Sequence, residues 1–113
     1  MALQEQPLDA QPKGVPVPKY IMLYTYTDQG IKAVKESPDR IRRATQAIEQ
    51  LGGKLLDISL TMGQYDLVAT FEAPDDQTVA RFALTLGSAG NVRTTTLKAF
   101  SLEEFEQIAR SIQ

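Results

Sequence analysis

Two runs of alternating apolar and polar residues on either side of Gly63-Gln64 constrain the fold of this chain more than any other feature. The first run, KLLDISLTM, covers residues 54–62, and the second, YDLVATFE, covers residues 65–72. Alternation with a period of two is typical of a strand with one buried face, and a short glycine-containing loop is typical of a hairpin. The pattern therefore predicts an antiparallel hairpin near the middle of the chain.

The two faces of this hairpin follow from the length of its loop. A two-residue loop places Met62 opposite Tyr65 and Thr61 opposite Asp66. One face then carries the larger apolar residues, which are Leu56, Ile58, Leu60, Leu67, Ala69 and Phe71. The other face carries Asp57, Ser59, Thr61, Asp66, Val68 and Thr70. We expect the apolar face to lie against helices, and a β-bulge at Gly63 would shift this register.

Strand and helix patterns flank the hairpin on both sides. Runs rich in Tyr, Thr and β-branched residues predict two further strands, at residues 19–27 and 91–100. Apolar stripes at helical spacing predict three helices, at residues 37–51, 75–86 and 101–112. The first of these helices should end at the pair Gly52-Gly53, because glycine tolerates the left-handed conformation after a helix.

Short polar residues are predicted to begin each helical segment. The predicted N-cap residues, which precede the first helical residue, are Asp28, Ser37, either Asp75 or Asp76, and Ser101. The turn begun by Asp28 is expected to run through Lys35, and Ser37 stands before a proline suited to the first helical position. Ser101 with Glu104 has the spacing of a capping box.

The order strand, helix, strand, strand, helix, strand predicts a ferredoxin-like α+β fold. This fold is a four-stranded antiparallel sheet with two helices on one face, here with an additional C-terminal helix. We assign Tyr20, Met22, Tyr24 and Val68 to the opposite face of the sheet, where they are too apolar to face water. The sequence therefore predicts that a second copy, the C-terminal helix or both cover this face, giving a homodimer or a larger homo-oligomer.

The N-terminal segment differs in composition from the rest of the chain. Four of the six prolines lie in residues 1–18, where apolar residues are isolated, which predicts an extended or disordered arm. Residues 19–113 then form a single domain. An alternative is that the arm docks on a neighbouring subunit through Leu3, Val15 or Val17, which would give it a role in assembly.

Composition excludes several classes of function. The 113 residues include no Cys and no His, which excludes disulfides, thiolate metal sites and a Ser-His-Asp triad. No spaced acidic loop suggests a Mg²⁺ or Ca²⁺ site, so we expect neither a metal nor a cofactor. The net charge of −2 argues against nucleic acid, and no apolar run is long enough to span a membrane. The first residues lack the features of a secretory signal, which makes the cytoplasm the expected location.

Three blocks of the sequence resemble the GYD-domain family of small bacterial proteins. They are TDQGIKAVKESPDR, LGGKLLDISLTMGQYDLV and GNVRTTTLKAF, and the resemblance extends over roughly residues 18–105. The Gly-Tyr-Asp of the family appears here with one inserted residue, as Gly63, Gln64, Tyr65 and Asp66, a variation that many members share. The resemblance implies a ferredoxin-like domain that forms dimers, and it implies no particular activity.

Tyr65 and Asp66 are the first candidate site. Neighbouring residues of a strand point to opposite faces, so the two side chains do not act together on one atom. Tyr65 is expected in the core, and Asp66 on the open face near the Thr61 hydroxyl. Asp66 is then either a hairpin-end acceptor of hydrogen bonds or, in an apolar cleft that raises its pKa, a proton acceptor.

Cations and tyrosines supply the remaining ligand-binding candidates. Lys35 and Arg40 lie near the start of a helix and could form an anion pocket with Arg93, or they could belong to a solvated face. Arg93 could also bridge to Asp66, either as a structural ion pair or as a clamp for a substrate carboxylate. Tyr24 and Tyr26 share one strand face, where stacked rings are also typical of RNA-binding sheets, although the acidic chain disfavours RNA.

Two main functions remain open from the sequence. The first is a non-enzymatic dimeric domain that binds a small metabolite or a protein partner at the sheet or dimer interface. The alternative is a cofactor-independent enzyme of the dimeric α+β barrel type, with Asp66 as general base. In that enzyme, Tyr24 or Tyr26 and Arg93 would donate hydrogen bonds to an enolate. An apolar pocket walled by Tyr20, Met22 and Val68, with Asp66 pointing into it, would favour the enzyme.

Overall fold

The computed structural model describes residues 17–113 and confirms the predicted α+β fold. The strands are β1 (Lys19–Tyr26), β2 (Lys54–Leu60), β3 (Leu67–Glu72) and β4 (Val92–Ala99). The helices are α1 (Asp28–Lys32), α2 (Ser37–Gln50), α3 (Asp76–Ser88) and α4 (Leu102–Arg110). A short 3-10 turn at Val34–Glu36 connects α1 to α2. Residues 1–16 of the predicted N-terminal arm lie outside the described residues.

The four strands form one antiparallel sheet in the order β2-β3-β1-β4. Helix α2 packs mainly on the edge strand β2, and helix α3 packs mainly on the opposite edge strand, β4. The core lies between the sheet and these two helices, with Phe71 and Phe82 in edge-to-face contact at a centroid distance of 6.1 Å. Where the central strands β1 and β3 pair, their inner faces are the most deeply buried part of the sheet, at 8% exposure or less.

The buried face of β1 is the reverse of the one predicted. Tyr20, Met22 and Tyr24 are buried, and they pair with the buried β3 residues Phe71, Ala69 and Leu67. Residues directly opposite in an antiparallel pair point to the same side, so the tyrosines lie on the helix side. The assignment of Tyr20, Met22 and Tyr24 to the open face with Val68 was therefore wrong. Alternation shows which residues share a face, and here both faces of β1 are apolar enough to be the buried one.

A β-bulge in β2 also changes the predicted faces of the hairpin. The pairing between β2 and β3 shifts between Leu55 and Asp57, which leaves Leu56 without a paired residue. Leu55 and Ile58 pack against the core, whereas Leu56 is 45% exposed. The predicted inward position of Leu56 was wrong, because the extra residue moves the preceding part of the strand by one position. The bulge lies within β2 and not at the glycine of the loop.

Three of the helix starts depend on side-chain caps. Thr27, and not the predicted Asp28, caps α1 by accepting a hydrogen bond from the Gly30 N–H at 3.1 Å. Asp75 caps α3, where its hydrogen bonds with the Thr78 hydroxyl and N–H lower the pKa of the carboxyl. Ser101 and the third helical residue of α4 form the predicted capping box. The predicted cap at Ser37 was wrong, because this residue is the first residue of α2 itself.

The outer face of the sheet and helix α4 carry the exposed apolar surface. On the sheet, Ile21, Leu23 and Val68 are half-buried, and Leu97 is 46% exposed. Along α4, an apolar stripe is between 44% and 74% exposed, and it consists of Leu102, Phe105, Ile108 and Ile112. Within residues 17–113, α4 makes no more than isolated contacts with other helices and strands. The helix therefore lacks the partner that an amphipathic stripe requires.

Candidate functional site

Asp66 lies in the connection between β2 and β3, where its hydrogen bonds join the hairpin to the backbone of β1. Its carboxylate accepts a hydrogen bond from the Tyr26 N–H at 2.8 Å, and its own N–H donates to the Tyr24 carbonyl at 2.8 Å. The Thr61 hydroxyl donates to the Tyr65 carbonyl at 2.6 Å. We had predicted that it would donate to Asp66, and this prediction was wrong. Asp66 thus has the contacts of the hairpin-end acceptor, the first of its two predicted roles.

Replacing Asp66 with Ala should destabilise the fold. The substitution leaves the Tyr26 N–H without its charged acceptor, which costs about 1–3 kcal/mol of unfolding free energy. Urea unfolding followed by circular dichroism measures this loss. Asp57→Ala is the matched control, because Asp57 is an exposed strand residue, and it should change stability by less than about 0.5 kcal/mol. Equal stability of the two variants would contradict the structural role of Asp66.

The predicted catalytic groups do not converge on one point. Arg93 is exposed and pairs with Thr25, the β1 residue that follows Tyr24, so Arg93 and Tyr24 point to opposite faces of the sheet. In the part of the chain that the structure describes, no ion pair joins Arg93 to Asp66. Lys35 lies exposed in the 3-10 turn, and Tyr65 is half-buried beside the hairpin loop.

The structure has a cavity of about 360 Å³ between the inner face of the sheet and helices α2 and α3. Its lining includes Tyr24 of β1, residues of β3 and residues of both helices. Tyr24 and Arg40 are the two predicted site residues that line it. Neither Asp66 nor Val68 is among its lining residues. The pocket that would have favoured the enzyme, on the other face of the sheet, is therefore not the cavity observed.

The cavity has a polar end and an apolar end. At the end of the sheet where β1 finishes, it is lined by Tyr24, Ser37, Arg40 and Asn91. The Ser37 and Tyr26 hydroxyls lie 2.6 Å apart, which places the start of α2 at this end of β1. The remaining wall includes apolar residues of the core, among them Ile48, Leu55, Phe71 and Phe82. Three further polar residues line the cavity: the exposed Arg43, and Thr45 and Thr85, whose hydroxyls donate to carbonyls of their own helices.

Tyr24, like Ser37, is a buried residue of the cavity wall with a polar side-chain group. It is 8% exposed, and burial raises the pKa of its hydroxyl to about 12. The hydroxyl is therefore protonated at neutral pH and able to donate a hydrogen bond. Among residues 17–113, no side chain or backbone group forms a hydrogen bond with it.

Arg40 provides the positive charge beside Tyr24. Its side chain is 19% exposed and donates to the Ala33 and Gly30 carbonyls at 3.3 and 3.5 Å. Its ion-pair partner Glu36 lies 3.6 Å away and is 74% exposed. These contacts are long, and an exposed ion pair contributes little energy. The guanidinium is held at the cavity without being neutralised by a buried carboxylate.

Sequence reasoning missed a second polar cluster, at the other end of the sheet. The Tyr20 hydroxyl donates to Asp76 at 2.5 Å, and Lys98 Nζ donates to the same carboxylate at 2.9 Å. Burial, followed by the bond to Asp76, raises the pKa of Tyr20, and the bond from Tyr20 lowers the pKa of Asp76. The pairing of Tyr20 with Lys98 across β1 and β4 brings these groups together. Only a correct strand register could have revealed this cluster.

The described part of the chain has neither a cluster of metal-binding side chains nor a membrane-spanning helix. Residues 17–113 contain no group of three or more acidic, His or Cys side chains arranged to hold a metal ion. Within the same residues, no helix is both long and apolar enough to cross a membrane.

Comparison with known proteins places the chain among relatives. It is 37% identical over 89 residues to the Glutamine synthetase and cystathionine beta-lyase binding protein of Thermus thermophilus. This match covers 78% of the chain and 94% of that relative. The crystal structure of MtbAldR is similar in fold, with a TM-score of 0.59 and 16% identity, over 80% of this chain and 57% of that one.

The family assignment rests on a match over most of the domain. The family model for the GYD domain matches residues 20–109, a range that includes every strand and most of each helix. The range also contains the three blocks of sequence that resemble this family. This chain belongs to the GYD domain family.

Proposed function

We propose that this protein is a non-catalytic binding protein that forms a homodimer and binds metabolic enzymes as partners. The observation that carries the proposal is the relative from Thermus thermophilus, which is named for binding glutamine synthetase and cystathionine beta-lyase. Its 94% coverage means that the similarity extends over nearly the whole relative and not over one motif. The same two enzymes are therefore the first partners to test.

The positions of the polar side chains support a role without catalysis. General acid-base chemistry requires the donor and acceptor groups to reach one reacting atom. Asp66 is bonded to the Tyr26 backbone, and Arg93 and Tyr24 point to opposite faces of the sheet. No single substrate position is within reach of all three groups, whereas a binding role needs no such convergence.

The exposed apolar surface supports pairing with a second copy. The outer face of a four-stranded sheet, with six-residue strands, presents about 400 Å². This is about half of the roughly 800 Å² per partner that a stable interface buries. Helix α4 adds about 140 Å² of apolar face. Together the sheet face and α4 offer roughly 540 Å² per copy, about two thirds of the area that one side of a stable interface buries.

Size-exclusion chromatography with multi-angle light scattering tests the proposed partners. The protein is mixed in turn with purified glutamine synthetase and purified cystathionine beta-lyase from the organism that carries this chain. We expect a complex with at least one enzyme, whose mass equals the enzyme oligomer plus whole dimers of this protein. An unrelated enzyme oligomer of similar size serves as the control and should elute unchanged.

Two results would contradict the proposal. The first is an unchanged mass for both enzymes at protein concentrations up to about 100 μM, which excludes all but very weak binding. The second is equal binding to the unrelated oligomer, which would indicate nonspecific adhesion of the exposed apolar surface.

A further inference from the structure

We propose that the cavity between the sheet and helices α2 and α3 binds an organic carboxylate with an apolar chain or ring of about a dozen non-hydrogen atoms. This site lies on the opposite face of the sheet from the proposed dimer surface. It goes beyond the proposed function, because a small ligand and a protein partner would occupy different parts of the molecule.

The size of the cavity sets the size of the ligand. Small-molecule sites have volumes of about 300–1,000 Å³, and the cavity of about 360 Å³ lies within this range. A water molecule occupies about 30 Å³ of the liquid, so the space equals about twelve waters. A ligand of similar volume has about a dozen non-hydrogen atoms, as decanoate does.

The distribution of polar groups determines the shape of the ligand. Tyr24, Ser37 and Arg40 lie where β1 ends and α2 begins, and the far end of the cavity is formed by Ile48, Leu55 and Phe71. Elsewhere in the lining, the Thr45 and Thr85 hydroxyls are already bonded within their own helices, and Arg43 is exposed. Water gains few hydrogen bonds against this apolar wall, and replacing it with a hydrocarbon is favourable. The ligand should therefore have one polar head and an apolar remainder.

The Tyr24 hydroxyl indicates that the head of the ligand accepts a hydrogen bond. A tyrosine hydroxyl is a hydrogen-bond donor, and one with little access to water and no protein partner gains from an acceptor on a ligand. The Tyr24 side chain is 8% exposed, and its hydroxyl has no hydrogen-bond partner within the described residues. Within the described residues, every side-chain nitrogen or oxygen atom that is closed to solvent has a hydrogen-bond partner. The Tyr24 hydroxyl is therefore still open to water, and a ligand in the cavity that Tyr24 lines would accept its hydrogen bond.

Arg40 indicates that the head is negatively charged. Its guanidinium makes only long contacts, with the Ala33 and Gly30 carbonyls and with Glu36. A guanidinium presents paired N–H donors that match a carboxylate, and such charge-assisted bonds are stronger than bonds to neutral carbonyls. The start of the 14-residue helix α2, which has no side-chain cap, also favours a negative charge.

Isothermal titration calorimetry with a series of carboxylates tests the proposal. The affinity should rise about four-fold for each added methylene from hexanoate to decanoate, as expected for transfer of apolar surface from water. Myristate should gain nothing further, because its chain exceeds the cavity. Octanoate should bind at least about ten-fold more tightly than octanol or octyltrimethylammonium, which have the same chain with a neutral or a cationic head.

Two substitutions in the cavity separate the roles of its polar groups. Tyr24→Phe removes one hydroxyl and should weaken octanoate binding about ten-fold or more. Arg40→Gln should weaken octanoate binding to a similar extent and leave octanol binding unchanged. The matched controls are Tyr20→Phe and Arg42→Gln, which alter a tyrosine bonded to Asp76 and an arginine paired with Asp39. Neither control residue lines the cavity, and both should leave octanoate affinity unchanged.

The location of the bound ligand is read from methyl NMR spectra. Octanoate should shift the methyl signals of Ile48 and Leu55, inside the cavity, and leave those of Leu97 and Ile108 unchanged. Shifts confined to Leu97 and Ile108 would mean that the ligand binds the exposed apolar surface, which would overturn the proposal. The absence of binding at any chain length would overturn it too, as would equal affinity for octanoate, octanol and octyltrimethylammonium. None of these outcomes depends on whether the protein binds an enzyme.

Discussion

Substituting Phe105 with Glu should convert the protein from a dimer to a monomer. Phe105 lies in the middle of the α4 stripe and is 59% exposed in the single chain. In the proposed dimer each copy buries this ring, so the substitution removes two apolar contacts and introduces two buried charges. At about 2 kcal/mol or more for each central aromatic residue, dissociation becomes about a thousand-fold more favourable.

Sedimentation velocity at several protein concentrations measures this change. The matched control is Gln107→Glu, which adds the same charge to the opposite side of the same helix and should leave the dimer intact. Circular dichroism and thermal unfolding of both variants confirm that the domain stays folded. A wild-type protein that sediments as a monomer at 100 μM, or an F105E variant that remains dimeric, would contradict the assignment of α4 to the dimer surface.

The order of the strands and helices was predictable because each element carries a local signal. Alternation around Gly63-Gln64 predicted the hairpin, and apolar stripes predicted α2, α3 and α4. Such signals show which side chains share a face, but they do not show which face is buried when both are apolar. In β1, Tyr20 alternates with Ile21, and only the packing of the helices determines that the tyrosine is inside.

The bulge and the helix caps depended on interactions between distant parts of the chain. Leu56 is displaced from the ladder between β2 and β3, in the strand on which α2 packs. Thr27, and not the predicted Asp28, caps α1. The Thr27 hydroxyl also donates at 2.6 Å to the Gly90 carbonyl, which lies far away in the sequence. Contacts over such sequence separations leave no periodic pattern from which to predict them.

The candidate site was only partly predictable for a related reason. Tyr24 and Arg40 were singled out by their chemical type, and both line the cavity. The cavity lies between α2 and α3, which pack on opposite edge strands of the sheet. The separation of two helices is a property of the assembled fold and not of any one segment.

Gly30→Ala should destabilise the protein strongly, although alanine is the better helix former. Gly30 is buried in α1, and a Cβ atom added there would lie 1.9 Å from the carbonyl oxygen of Asn91. That oxygen also accepts the Thr27 N–H at 3.1 Å, so it cannot move without loss of the bond that joins α1 to the start of β4. We expect a loss of about 3 kcal/mol, or roughly 15 °C in Tm.

A second glycine provides the comparison that isolates this steric effect. Gly87 lies near the end of α3, and a Cβ atom added there meets no atom within 4 Å. Gly87→Ala should therefore raise the unfolding free energy by about 0.5 kcal/mol or more, because alanine restricts the unfolded chain and favours the helix. Urea unfolding of the two variants should move the midpoint in opposite directions from the wild type. If Gly30→Ala also raised the midpoint, α1 would not be packed against Asn91, and the polar end of the cavity, which Asn91 lines, would have a different shape in solution.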